Sequence, residues 1–202
     1  MMKDMERRVF NMESRKDPTK LGGHAAVFNS IADLGWFREK IAPGAFTEAI
    51  ARDDIRALFN HDPNYVIGRN TAGTLQISED GIGLAWEADP PDTQWAKDLQ
   101  ISVERGDINQ CSFGFRTKRE EWDETDPKNP IRTILEAQLF DVSIVTFPAY
   151  TDTDAQVRSI YDTHQVEAQR GKTDEEQRQA QIQGDEATRA REIELLRIKG
   201  GL

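Results

Sequence analysis

The chain has 202 residues and a single cysteine, Cys111, which excludes an internal disulfide and a four-cysteine zinc site and fits a reducing, cytoplasmic setting. A formal net charge of -10 argues against nucleic acid as a main partner, because phosphate binding needs a clustered basic face, and no run approaches the roughly 18 apolar residues of a membrane span. Only 37% of the residues are hydrophobic, low for a fully globular chain, so part of the length is expected to lie outside the core.

Arg7 to Asn11 reads as a first strand, and the turn at Gly22-Gly23 leads into a strand of small and apolar residues through Phe28. Ser30 to Trp36 reads as a loop, Trp36 to Ile41 alternates as a strand, and Ala45 to Ile50 has the period of a short helix after the Pro43-Gly44 turn. Ile55 to Asp62 is a strand running into a turn that Pro63-Asn64 closes. Val66-Ile67-Gly68 leads to a turn around Asn70 to Gly73. Thr74 to Glu79 and Ile82 to Ala88 then form a hairpin about Asp80-Gly81. Pro90-Pro91 stops that strand; Asp92 or Thr93 caps a helix through Trp95, Leu99, Ile101 and Val103, and Gly106 ends it.

A further strand runs from Ile108 to about Arg119, where small and aromatic residues alternate: Ser112 and Gly114 face one way, and Cys111, Phe113 and Phe115 the other. With the phenylalanines inward, Ser112 is expected on an open face. An acidic loop, Glu120 to Pro130, precedes an extended stretch from Ile131 to Thr146 that Phe147 to Tyr150 ends. About eight short strands with two inserted helices predict a mainly β, α+β fold built on a closed or nearly closed barrel. Beyond about Arg158, charges of both signs interleave and apolar residues thin out, which predicts a solvated helix or a disordered tail. Gly171 and Gly184 are expected to interrupt its helicity.

A serine hydroxyl becomes a nucleophile only when a base takes its proton, so a functional Ser112 requires a histidine nearby; otherwise it is an ordinary strand residue. The chain has three histidines. His61 stands at a strand end beside a turn, fit either for reaching across a surface or for satisfying the turn. His24 lies among glycine and alanine and reads as structural, and His164 lies in the polar tail. An acid that orients the imidazole would come from the extended stretch, where Glu136 and Asp141 both stand among apolar neighbours. Each also has an ordinary reading, Glu136 as an exposed strand residue and Asp141 as a strand-end acceptor of backbone amides.

Asn60-His61-Asp62, Ser112-Phe113-Gly114-Phe115 and the run Leu139-Phe140-Asp141-Val142-Ser143-Ile144-Val145-Thr146-Phe147-Pro148-Ala149-Tyr150 together resemble, in order and spacing, the prohead maturation proteases of tailed phages. Gly22 to Phe28 and Ile41 to Phe46 also fit, so the resemblance covers about residues 5 to 158. It implies a serine endopeptidase domain over 1-158, related to herpesvirus assemblin with its helix-flanked β-barrel, followed by a charged C-terminal tail over 159-202. By the same resemblance Ser112 matches the nucleophile and His61 the general base. Glu136 stands in the place of the second histidine of the herpesvirus relatives, with Asp141 as the alternative third member.

The resemblance calls for no cofactor or metal. It implies a capsid precursor or its scaffold as substrate, self-cleavage, self-association as a dimer, and work inside the assembling prohead in the host cytoplasm, with neither nucleic acid nor membrane as partner. The tail then targets the enzyme to the scaffold or is trimmed away, unless it is a disordered terminus with no specific role. Two rivals stand beside this reading: a non-catalytic assembly or scaffolding protein on the same fold, and a metal-dependent hydrolase using His24, His61 and Asp62, whose spacing is unlike that of zinc sites.

Overall fold

The computed structural model describes residues 5–11, 19–147 and 153–199. In chain order the elements are β1 (Glu6–Asn11), β2 (Leu21–Val27), β3 (Ala32–Asp33), β4 (Arg38–Ile41), α1 (Thr47–Arg52), β5 (Arg56–Phe59), β6 (Asp62–Arg69), a 3-10 turn at Asn70–Ala72, β7 (Leu75–Glu79), β8 (Gly83–Ala88), α2 (Gln94–Glu104), β9 (Gln110–Asp123), β10 (Ile131–Val145) and α3 (Thr153–Lys199). They fall into two units, Met1–Val157 and Arg158–Leu202.

The two longest strands, β9 and β10, pair antiparallel and form the spine of a seven-stranded sheet. β1 pairs antiparallel with the other edge of β9. The second edge of β10 is divided: β4 runs parallel to Ile131–Ile134, and β5 runs parallel to Asp141–Ile144. β3 flanks β4 and β6 flanks β5. The remaining three strands form a separate sheet in the order β2-β8-β7.

No closed barrel forms among the described strands, contrary to the expectation from strand count. One long strand gives its edge to two short ones, each with its own outer partner, so the sheet forks there. Hydrophobic alternation reports how many strands exist, whereas closure depends on non-local register, which alternation does not carry.

The inner face of the spine carries Phe113 and Phe115 from β9 and Ile134, Leu139, Val142 and Ile144 from β10, packed with Leu84 and Trp86 of β8 and with Phe46 just ahead of α1. Phe113 stacks on Phe115 at 4.8 Å between centroids and meets the edge of Phe46 at 5.6 Å. Each such ring contributes about 1.5–3 kcal/mol by leaving water, which is why the alternating aromatic stretch sets the sheet's inner side.

At one end of this face strands β1, β10 and β4 supply buried charges. Arg8 donates Nε to Glu39 Oε1 at 2.6 Å and Nη2 to Glu39 Oε2 at 2.9 Å; Arg132 donates Nη1 to Glu6 Oε2 at 2.6 Å and to Glu39 Oε2 at 2.9 Å. Burial pushes the Glu6 carboxyl up, but the hydrogen bond and charge of Arg132, together with the charge of Arg8, outweigh it and hold Glu6 below its ordinary value.

Several local expectations are corrected. The turn after β5 is Asn60-His61, and Pro63-Asn64 already belongs to β6. Strand β9 continues to Asp123, absorbing the start of the acidic loop. Helix α2 buries Ala96 and Leu99 but leaves Ile101 52% exposed, since two residues turn a helix by about 200° and carry Ile101 to the far side. Helix α3 continues through Gly171 and Gly184, where an interior glycine costs only about 1 kcal/mol relative to alanine. The expected close of the last strand at Pro148 to Tyr150 lies outside the described residues.

Candidate active site

His61 is carried by the two-residue connection between β5 and β6. Asn60 has φ 53° and His61 φ 56°, both in the left-handed region that a primed hairpin turn requires. Asparagine adopts this readily. For histidine it costs roughly 1–2 kcal/mol, so something must hold the turn. Asn60 does so on both its backbone and its side chain: its N–H donates to Ile144 O at 2.8 Å, its Oδ1 accepts from Thr146 N at 2.9 Å, and its Nδ2 donates to Thr146 Oγ1 at 3.2 Å. The hairpin is thereby fastened to the end of β10, and the imidazole is directed over the β9–β10 pair.

Strand β10 does not keep a simple two-residue alternation. Its core-facing residues are Ile134, Ala137, Leu139, Val142 and Ile144, and its register against β9 shifts between Ile134 and Glu136, Glu136 and Ala137, and Leu139 and Asp141. The last shift leaves Phe140 as an extra residue, a β-bulge that exchanges the two faces. Without it Asp141 would follow Leu139 into the core. With it, Asp141 pairs with Gly114 and Ser143 with Ser112, all on the face opposite the phenylalanines.

There the side chains meet. His61 Nε2 lies 2.8 Å from Ser112 Oγ and His61 Nδ1 lies 2.5 Å from Asp141 Oδ1, which also accepts from Ser143 Oγ at 2.7 Å. These partners assign the tautomer: Nδ1–H donates to the carboxylate, and Nε2 is left to accept the serine proton. A Cβ at Gly114 would run into Asp141 Oδ2, so the glycine is the space that the carboxylate occupies. The side chains of His61 and Asp141 are 5% and 7% exposed. Ser112 exposes none of its surface, so the expected open face is covered, and a peptide carbonyl reaches the hydroxyl only after its surroundings move.

The third expected site residue lies elsewhere. The Glu136 side chain is 41% exposed, stands 4.0 Å from Arg119 across the β9–β10 pair, and precedes Asp141 by five residues of strand, roughly 15 Å. Asp141, the alternative, is the acid that meets His61. The two other candidates for a metal set do not converge with it: His24 on β2 pairs with Asp80 at 2.8 Å, and Asp62 turns back onto Asn64. Asp80 is held down to about 2 by the Gly83 backbone N–H, His24 and the Ile82 N–H, as suits a carboxylate closing the β7–β8 hairpin. His164 lies on α3.

Sequence reasoning named Asn60, Ser143 and Gly114 only as parts of motifs and missed what each does here. The signal for the last two was present in the uneven spacing of apolar residues along β10, which marks bulges, and in Asp141-x-Ser143 just beyond one of them.

No curated protein matches the chain in sequence. Among solved structures, the bacteriophage T4 capsid assembly protease is similar over 72% of this chain and 98% of its own, at 10% identity and a TM-score of 0.47, a likeness too low to bear on the site. The family model described as caudovirus prohead serine protease matches residues 7–167, a span that takes in Asn60-His61, Ser112 and Asp141. With four fifths of its 202 residues inside that match, the chain belongs to the caudovirus prohead serine proteases.

Proposed function

We propose that the chain is an endopeptidase in which Ser112 is the nucleophile, His61 the general base and Asp141 the orienting acid, and that it cleaves the scaffold segment of the capsid precursor and part of itself. The observation that carries the reading is the continuous line of hydrogen bonds from Ser112 Oγ through both nitrogens of His61 to Asp141. In acylation Ser112 Oγ attacks the scissile carbonyl carbon as its proton passes to His61 Nε2. The imidazolium, held by the Asp141 carboxylate, gives that proton to the departing amine as the C–N bond breaks. Water then loses a proton to Nε2 and attacks the ester, and the proton returns to Ser112 Oγ as the acyl–oxygen bond breaks. Asp141 stays ionised throughout.

Membership in the family supports the capsid precursor as substrate. The complete burial of Ser112 is the observation on the side of a non-catalytic assembly protein. Co-expression with the capsid precursor, wild type beside Ser112→Ala, followed by intact mass of both proteins, decides between them. The expected result is loss of a precursor segment and of part of this chain in the wild type alone. Unchanged masses in both, with shells assembled, would demote Ser112 to a strand residue.

A further inference from the structure

Asp141 is held by contacts that leave it one orientation. Its Oδ1 accepts from His61 Nδ1 and from Ser143 Oγ, and its Oδ2 fills the place of a side chain at Gly114. Ser143 exposes no surface and is the Cα partner of Ser112 across the β9–β10 pair. A buried hydroxyl needs an acceptor, and here that acceptor is the oxygen to which the imidazole is tied. A hydroxyl hydrogen bond to a carboxylate favours its charged form and fixes its plane.

We propose that Ser143 is a positioning residue for the cleavage reaction: its hydroxyl locks the Asp141 carboxylate, through which it sets the His61 ring toward Ser112. This rests on the catalytic reading above. Ser143 has no open surface with which to touch a peptide, so its effect belongs in kcat and not in KM.

The test is steady-state cleavage of a quenched-fluorescence peptide spanning the cut site found by the co-expression experiment, with the thermal midpoint measured for each protein. Ser143→Ala is expected to lower kcat by about tenfold to a hundredfold with KM unchanged, the size of effect that a small misplacement of a catalytic group produces. Ser143→Thr keeps the hydroxyl on a residue that suits a strand, and is expected to stay within about threefold of wild type. Wild-type kcat in Ser143→Ala would overturn the proposal. So would a loss in Ser143→Ala that disappears once activity is normalised to the folded fraction, or an equal loss in a folded Ser143→Thr, which would assign the effect to packing. Failure of the underlying reading is separately visible, as cleavage that persists in Ser112→Ala or is absent from wild type.

Discussion

At His61 both ring nitrogens are engaged, so the identity of the acid opposite Nδ1 decides which nitrogen faces Ser112. An amide in place of that carboxylate can present its N–H to Nδ1, which stabilises the wrong tautomer and leaves the imidazole without its counter-charge. Asp141→Asn is therefore expected to lower kcat about 10⁴-fold while the protein stays folded. Glu136→Gln, changing an exposed group that faces Arg119, is expected to stay within about twofold of wild type, in the range of neutral surface changes. Cleavage rates of the two variants side by side check the assignment, and the opposite pattern would return Glu136 to the site.

The β5–β6 hairpin holds a histidine in the left-handed region because Asn60 ties the turn to Thr146 and Ile144. Asn60→Ala removes both side-chain bonds and adds left-handed strain, an expected loss of about 1–2 kcal/mol. Asn60→Gly relieves the strain without restoring the bonds. If the bracket positions His61, the glycine variant should regain part of the stability in urea unfolding yet remain as slow as the alanine variant in cleavage. Recovery of both together would make Asn60 a turn residue and nothing more. The bulge at Phe140 works at the same scale: one extra residue in β10 puts Asp141 and Ser143 on the face of Ser112 while Val142 and Ile144 keep the core.

Across the sheet, the face that carries Ser112, Asp141 and Ser143 and the core face are two sides of the same β9–β10 pair, so anything that registers β1, β9, β10 and β4 also registers the candidate site. The buried cluster of Glu6, Arg8, Glu39 and Arg132 joins β1, β4 and β10, and Thr117 of β9 donates its hydroxyl to Glu6 Oε1 at 2.7 Å. Glu6→Gln leaves buried guanidinium charge short of a partner and is expected to destabilise the fold by about 3 kcal/mol near neutral pH. Because the Glu6 carboxyl is held below its ordinary 4.5, its contribution is complete above that value and is lost as pH falls through the lowered folded value. Urea unfolding should thus show the wild type and Glu6→Gln far apart at pH 7 and converging in acid. A separation independent of pH would mean that the charge of Glu6 does not carry it.

Composition and alternation alone determined that the chain is mainly β with inserted helices, that Phe113 and Phe115 face inward, and that Ser112 faces the other way, because burial of apolar area acts on short, contiguous stretches. Order and spacing of short motifs were enough to name the family and to single out His61 and Ser112. Only the tertiary structure brings Asp141, and not Glu136, against His61, since that contact turns on a bulge and on pairing between strands joined by a loop. Only the tertiary structure replaced the barrel by a forked sheet, for the same reason. A side chain's local environment is written in its neighbours along the chain, whereas its partner across a sheet depends on register, which a single extra residue reverses.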